Sequence, residues 1–180
     1  QQQGTEMGYE IHMGETSYYA WMNPFPLSPT HVVIATTEHT SQEWPVCEKG
    51  KLEVSVLLND LVELAERMPG YIGFYNGVNA GASIPGHLHF QFFKRPEDEP
   101  EFPLERAARQ QFESGEKGKF LKNYPLDDAV WTGKPKAVLK QASQWISGWA
   151  AKNKSRIHDL TANFIVSRNT PGDDISLFFV

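Results

Sequence analysis

Residues 71–94 read YIGFYNGVNAGASIPGHLHFQFFK, two strand patterns around a glycine-rich loop. Its first five residues, 71–75, are aromatic and aliphatic around one glycine, the composition of a strand. The last eight, 87–94, form a second strand, in which polar and apolar side chains alternate from His87 to Phe92. Successive strand side chains point to opposite faces, so His87, His89 and Gln91 share one face while Leu88, Phe90 and Phe92 face the core. Between the strands runs a glycine-rich loop, 76–86.

The flanking sequence supplies the rest of a layered domain. Residues 16–22 (TSYYAWM) read as an aromatic-rich strand, closed by Asn23-Pro24-Phe25-Pro26-Leu27-Ser28-Pro29, where three prolines exclude helix and central strand. Residues 31–35 (HVVIA) follow as a short strand, ended by the polar run 36–41. Val54, Leu57, Leu58, Leu61, Leu64, Ala65 and Met68 recur at spacings of three and four, a helix that Pro69-Gly70 stops. A loop at 97–103, a short helix at 104–112 and an exposed turn at 114–119 come next. A second long helix spans 136–152, with Val138, Ala142, Trp145, Ile146 and Trp149 on one face. Two last strands, 160–168 and 175–180, flank a turn at 169–174. Paired strands with two main helices indicate an α+β domain, its sheet mostly antiparallel and its helices on one face.

At 180 residues the chain fits one domain, 1–180, and 40% hydrophobic residues suffice for a core. The missing initiator Met and an ending in mid-strand pattern suggest a piece of a longer chain. The sequence holds neither an apolar run long enough to span a membrane nor a signal-peptide pattern, so a soluble protein without membrane partners is expected. The one cysteine, Cys47, is read as a bystander thiol and fits a reducing, cytoplasmic setting. A net charge of −5 argues against nucleic acid as a partner, because phosphate-tracking surfaces need clustered Lys and Arg. A small anionic ligand needs only local donors.

Such donors are offered by the loop. Gly77, Gly81 and Gly86 can bring backbone amides close to an anion, and Ser83 adds a hydroxyl. A glycine-rich turn by itself is ordinary turn material, but next to two histidines it suggests phosphoryl or nucleotidyl transfer. Lys94, Arg95 and Arg168 are candidate phosphate contacts whose more common fate is solvation; Tyr18, Tyr19, Trp21 and Phe25 are candidates for a base pocket or for core. His12 and His158 read as surface residues, and His31 as either packing or site-lining.

His87-x-His89-x-Gln91 behind Asn76-Gly77…Gly81-x-Ser83, together with Asn23-Pro24…His31…His39, resembles the histidine triad (HIT-like) superfamily, in the branch of galactose-1-phosphate uridylyltransferase and the diadenosine tetraphosphate phosphorylases. Thr30 stands where that branch usually has glycine, and Gly86 is an extra residue between the serine and the first histidine. Phe102-Pro103-Leu104-Glu105 resembles a segment of some phosphorylase relatives. The resemblance implies a HIT-like fold and a nucleotidyltransferase or phosphorylase acting on a nucleoside-diphosphate sugar or dinucleoside polyphosphate. His89 would be the nucleophile, Gln91 a donor to a nonbridging phosphate oxygen, and His87 a hydrogen-bonding support. Asn76, Gly77 and Ser83 would hold phosphate, with phosphate or a sugar phosphate as acceptor. A homodimer is a further implication. His39 and His87 resemble two ligands of a structural zinc site whose Cys pair is missing from this sequence, so zinc stays open and no metal ligand is assigned. Two alternatives remain: a hydrolase of the same substrates, and a nucleotide-binding protein without turnover.

Overall fold

The computed structural model describes residues 8–44, 53–99, 101–115, 119–122, 124–153, 162–168 and 174–180. In chain order its elements are β1 (Tyr9–Met13), β2 (Thr16–Met22), β3 (His31–Thr36), α1 (Val54–Arg67), β4 (Tyr71–Tyr75), β5 (His89–Lys94), α2 (Pro103–Glu113), β6 (Ala129–Gly133), α3 (Pro135–Lys152), β7 (Phe164–Ser167) and β8 (Ile175–Phe179). The strands form one sheet in the order β1-β2-β3-β5-β4-β7-β8-β6, and every described neighbour pair is antiparallel. This is the α+β architecture expected from the sequence.

Alternation assigns the two faces. Tyr18 and Ala20 of β2, Ile34 of β3, Phe90 and Phe92 of β5, Phe164 and Val166 of β7 and Leu177 of β8 point to one side. There they meet Leu57, Leu58, Leu61 and Leu64 of α1 and Val138, Ala142 and Ile146 of α3. Burial of these apolar surfaces is the main stabilising term of the fold.

The two main helices, α1 and α3, share one face as expected, and the short helix α2 lies on the other. Leu104 and Ala108 of α2 pack with Leu121 against Val130, Ile165 and Phe178, the outward residues of β6, β7 and β8. The tie is electrostatic as well as apolar. Arg95, the residue after β5, makes a bidentate ion pair with Glu105 (Nη2 to Oε1 2.7 Å), and Phe102 lies 5.1 Å beneath its guanidinium. Pro103 occupies the first turn of the helix, and Glu105 accepts the Phe102 N–H at 2.8 Å. The Phe102-Pro103-Leu104-Glu105 segment therefore fastens α2 to the end of β5.

Two of the three cations read as solvated are not. Lys94 is exposed, whereas the Arg95 side chain is only 10% exposed and Arg168 is buried, donating to the Glu66 carbonyl at 3.1 Å. The two strands that sequence patterning misses, β1 and β6, are the edges of the sheet. Cys47, His158 and most of the turn at 169–174 lie outside the described residues.

Candidate functional site

Where α2 does not reach, the same face of the sheet is open. A cleft of about 660 Å³ lies over β2, β3 and β5, a volume suited to a small molecule. Tyr19, Trp21 and Phe25 form an aromatic wall with Ile84 facing in from the loop, while His87, His89, Gln91 and Ser83 supply the polar side. Tyr19 and Trp21 have ring centroids 6.1 Å apart, and Phe25, on the proline-rich connector, is 86% exposed. None of the described residues lining the cleft is Lys, Arg, Asp or Glu.

The alternation read from 87–92 is the geometry observed: His87, His89 and Gln91 all line the cleft, while Leu88, Phe90 and Phe92 are fully buried. The strand begins at His89 rather than His87, because the His87 N–H turns back to the Ile84 carbonyl. His89 is 6% exposed, and its ring is held from behind: Nδ1 lies 2.9 Å from the His87 backbone carbonyl. A carbonyl only accepts, so Nδ1 carries the proton and Nε2 keeps a free lone pair. By the same logic His87 donates from Nε2 to the Thr36 carbonyl at 2.6 Å.

His31, left between packing and site-lining by the sequence, sits behind Gln91. It is 1% exposed, lies between the rings of Phe74 and Phe93, and its Nδ1 accepts the Leu27 N–H at 3.1 Å. Burial pushes its imidazole below the usual histidine range, and a hydrogen bond to Gln91 opposes that shift.

The loop contributes differently from expectation. Ser83 lines the cleft despite the extra Gly86, whereas Asn76 and Gly77 are not brought to it. The Gly77 N–H is spent on Asn163 Oδ1 at 3.1 Å, and a Cβ there would stand 2.3 Å from the Ala162 carbonyl oxygen. Glycine is needed at 77 for close backbone approach, not for an anion. Gly81 does adopt the left-handed conformation, at φ 106°.

His39 and His87 stand together, ring centroids 5.6 Å apart, but among the described residues no group of three metal-ligating side chains gathers around them. Two imidazoles do not make up the four ligands zinc prefers. Among the described residues the arrangement does not fit the metal.

Several site residues carried no sequence signal. Thr36 and Thr37 line the cleft from the end of β3, and Gln42, just past the polar run 36–41, is fully buried between the loop and β5. A polar residue in a polar stretch gives no pattern by which to pick it out.

A family model described as Domain of unknown function (DUF4922) matches residues 5–94. No curated protein matches the chain. Among solved structures the fold is similar to that of yeast Ap4A phosphorylase Apa2. Its complex with AMP superposes at TM-score 0.55 and 18% identity, covering 89% of this chain and 55% of that one. The complex with Ap4A gives TM-score 0.51 and 16% identity over 91% and 56% of the two chains. A third structure of the same protein gives 0.51 and 20% over 91% and 55%. At these identities the likeness is one of fold, and the chain spans little more than half the length of these neighbours. No helix among the described residues is long and apolar enough to cross a membrane.

Proposed function

We propose that this chain, which belongs to the DUF4922 family, is a nucleotidyltransferase or phosphorylase working through a nucleotidyl-His89 intermediate. The observation that carries the reading is the His89 ring: Nδ1 is committed to the His87 carbonyl, so the unprotonated Nε2 belongs to a side chain lining the cleft. A neutral imidazole fixed in that tautomer is a competent nucleophile toward phosphorus. Nε2 attacks the α-phosphorus, a P–N bond forms, and the P–O bond to the leaving phosphate breaks with its electron pair. An acceptor oxygen then attacks the same phosphorus, the P–N bond breaks, and the acceptor's proton is released.

The surrounding residues support a nucleotide as the substrate. Tyr19, Trp21 and Phe25 offer flat apolar surface for a base, and Gln91 and Ser83 offer neutral donors for nonbridging oxygens. Gln91 has no proton to give a leaving group, which favours a substrate whose leaving group is already a stable phosphate. It favours phosphate or a sugar phosphate over water as the acceptor. The fold shared with an Ap4A phosphorylase agrees with this class. Nucleoside-diphosphate sugars and dinucleoside polyphosphates are the substrates we assign.

The test is a trapping experiment with α-labelled substrates of both kinds in the absence of acceptor. The expected product is a labelled protein, acid-labile and base-stable, that loses its label faster when phosphate or a sugar phosphate is added. His89→Gly should take up no label. Release at the same rate with and without acceptor would make the protein a hydrolase. Tight nucleotide binding with no adduct under any condition would leave a binding protein and overturn the proposal.

A further inference from the structure

We infer that Gln42 is a positioning residue for His89, a side chain that takes the place of a missing rung between two strands. In the β4–β5 ladder Phe74 stands opposite Gln91, so two residues further along Asn76 stands opposite His89. That rung is not made directly. Instead the Gln42 carboxamide lies between the two backbones: Oε1 accepts the His89 N–H at 2.8 Å, and Nε2 donates to the Asn76 carbonyl at 2.8 Å and to the His89 carbonyl at 3.3 Å. The amide cannot be reversed, since its oxygen would then face two carbonyl oxygens and its NH₂ an N–H.

Gln42 is itself fixed at both ends of its backbone. Its N–H donates to the Pro85 carbonyl at 3.2 Å, and its carbonyl accepts the Tyr75 hydroxyl. Tyr75 is fully buried and stacked on Phe164. Gln42, through its backbone and its carboxamide together, thus joins the end of β4, the glycine-rich loop and the first residue of β5.

The physical consequence is a splay. Direct pairing of Asn76 with His89 would bring the two backbones to ladder distance, about 5 Å between strands. The inserted carboxamide holds them apart, which lets the loop leave β4 and sets where the His89 peptide sits. That peptide is gripped at its N–H and C=O by Gln42, and its ring at Nδ1 by the His87 carbonyl. Removing the carboxamide leaves the His89 N–H and the Asn76 carbonyl with two ways to be satisfied, water or each other. Either one moves the ring, and misplacement by about 1 Å can cost roughly 100-fold in rate.

This inference rests on His89 being the nucleophile, and the experiment separates the two. Gln42→Glu and Gln42→Met would be prepared alongside the wild type. Three quantities are read: the rate of His89 labelling, the affinity for the nucleotide, and the His89 ring tautomer from its imidazole nitrogen shifts without ligand. At about pH 8 the ionised carboxylate introduced by Gln42→Glu can accept the His89 N–H but would face two carbonyl oxygens. Labelling of Gln42→Glu should then fall roughly 10- to 100-fold. Relative to wild type at the same pH it should recover on acidification, because a protonated carboxyl again offers one donor and one acceptor. Gln42→Met should be slow at every pH, and in both variants affinity should change by less than about threefold.

Rates equal to wild type in both folded variants, or losses confined to affinity, would overturn the inference. The same holds if Gln42→Glu fails to recover where its fold is intact at both pH values. If the wild type takes up no label, the proposed chemistry fails while the ring measurement still decides Gln42. A pure Nδ1–H tautomer in wild type that becomes mixed in Gln42→Met upholds the positioning role, and an unchanged tautomer refutes it.

Discussion

One face of the sheet is used in two ways. Over β6, β7 and β8 its side chains, Val130, Ile165 and Phe178, are covered by α2. Over β2, β3 and β5 the outward side chains are Tyr19, Trp21, His89 and Gln91, and they line a cleft. The backbone and its period of two are the same in both halves; what differs is whether a helix lies on top. Arg95 marks the division, since its ion pair with Glu105 draws the chain after β5 into α2. On the proposed function the covered half supplies stability and the open half the chemistry, so substitutions in one should leave the other's readout unchanged.

The sharpest separation is expected from His89→Gly and its counterpart beneath α2. His89→Gly should lower nucleotidyl transfer by at least about 10³-fold, measured by single-turnover labelling, because the side chain that would form the P–N bond is gone. Its denaturant midpoint should move little by comparison.

Phe178→Ala should do the reverse. Phe178 is fully buried under α2, and truncation should cost about 3–5 kcal/mol of unfolding free energy in urea titration while nucleotide affinity at permissive temperature is kept. If the affinity is lost with the stability, the two halves are coupled and the division is wrong.

Next in size is Glu105→Gln, which leaves the Arg95 guanidinium without its counter-charge at a side chain only 10% exposed. A loss of about 3 kcal/mol is expected from the same titration, since a buried charge stripped of its partner is penalised by desolvation.

Phe25→Ala probes the open half at its rim. Phe25 is 86% exposed, so stability should stay within about 0.5 kcal/mol of wild type, while nucleotide Kd should rise roughly five- to tenfold through lost stacking. An unchanged Kd by calorimetry would place the base elsewhere.

The smallest effect is a pH dependence from His31. Its folded-state proton affinity lies below the ordinary value of 6.5, so in the window between the two the unfolded chain binds more protons. Stability should therefore be complete above about pH 6.5 and decline as pH falls toward the folded value. In His31→Asn that part of the slope should vanish. A slope unchanged by the substitution would show that other groups carry it.

Much of this was legible in the sequence because it depends on local period. The strands at 16–22 and 71–75 follow from their aromatic-rich composition, and the two long helices from apolar spacings of three and four, since burial of one face is what those spacings encode. The strict alternation from His87 to Phe92 is enough to place two imidazoles and a carboxamide on one face. The missed strands, β1 and β6, are the sheet's edges, short and flanked on one side only. β1 buries little of its side-chain surface and so leaves a weak pattern.

Which side chains share a face can be read from the amino-acid order alone, because it is a property of the extended chain. Which faces are covered depends on how distant segments pack, and it is packing that puts α2 on one half and leaves the other open. Tertiary structure also gave the single-residue roles their sense. Gly77 serves Ala162 rather than an anion, Arg95 is spent on Glu105, and Gln42 spans two backbones that are 34 and 47 residues away along the chain. These are contacts between distant segments, and no local pattern encodes the partner on the far side of a hydrogen bond.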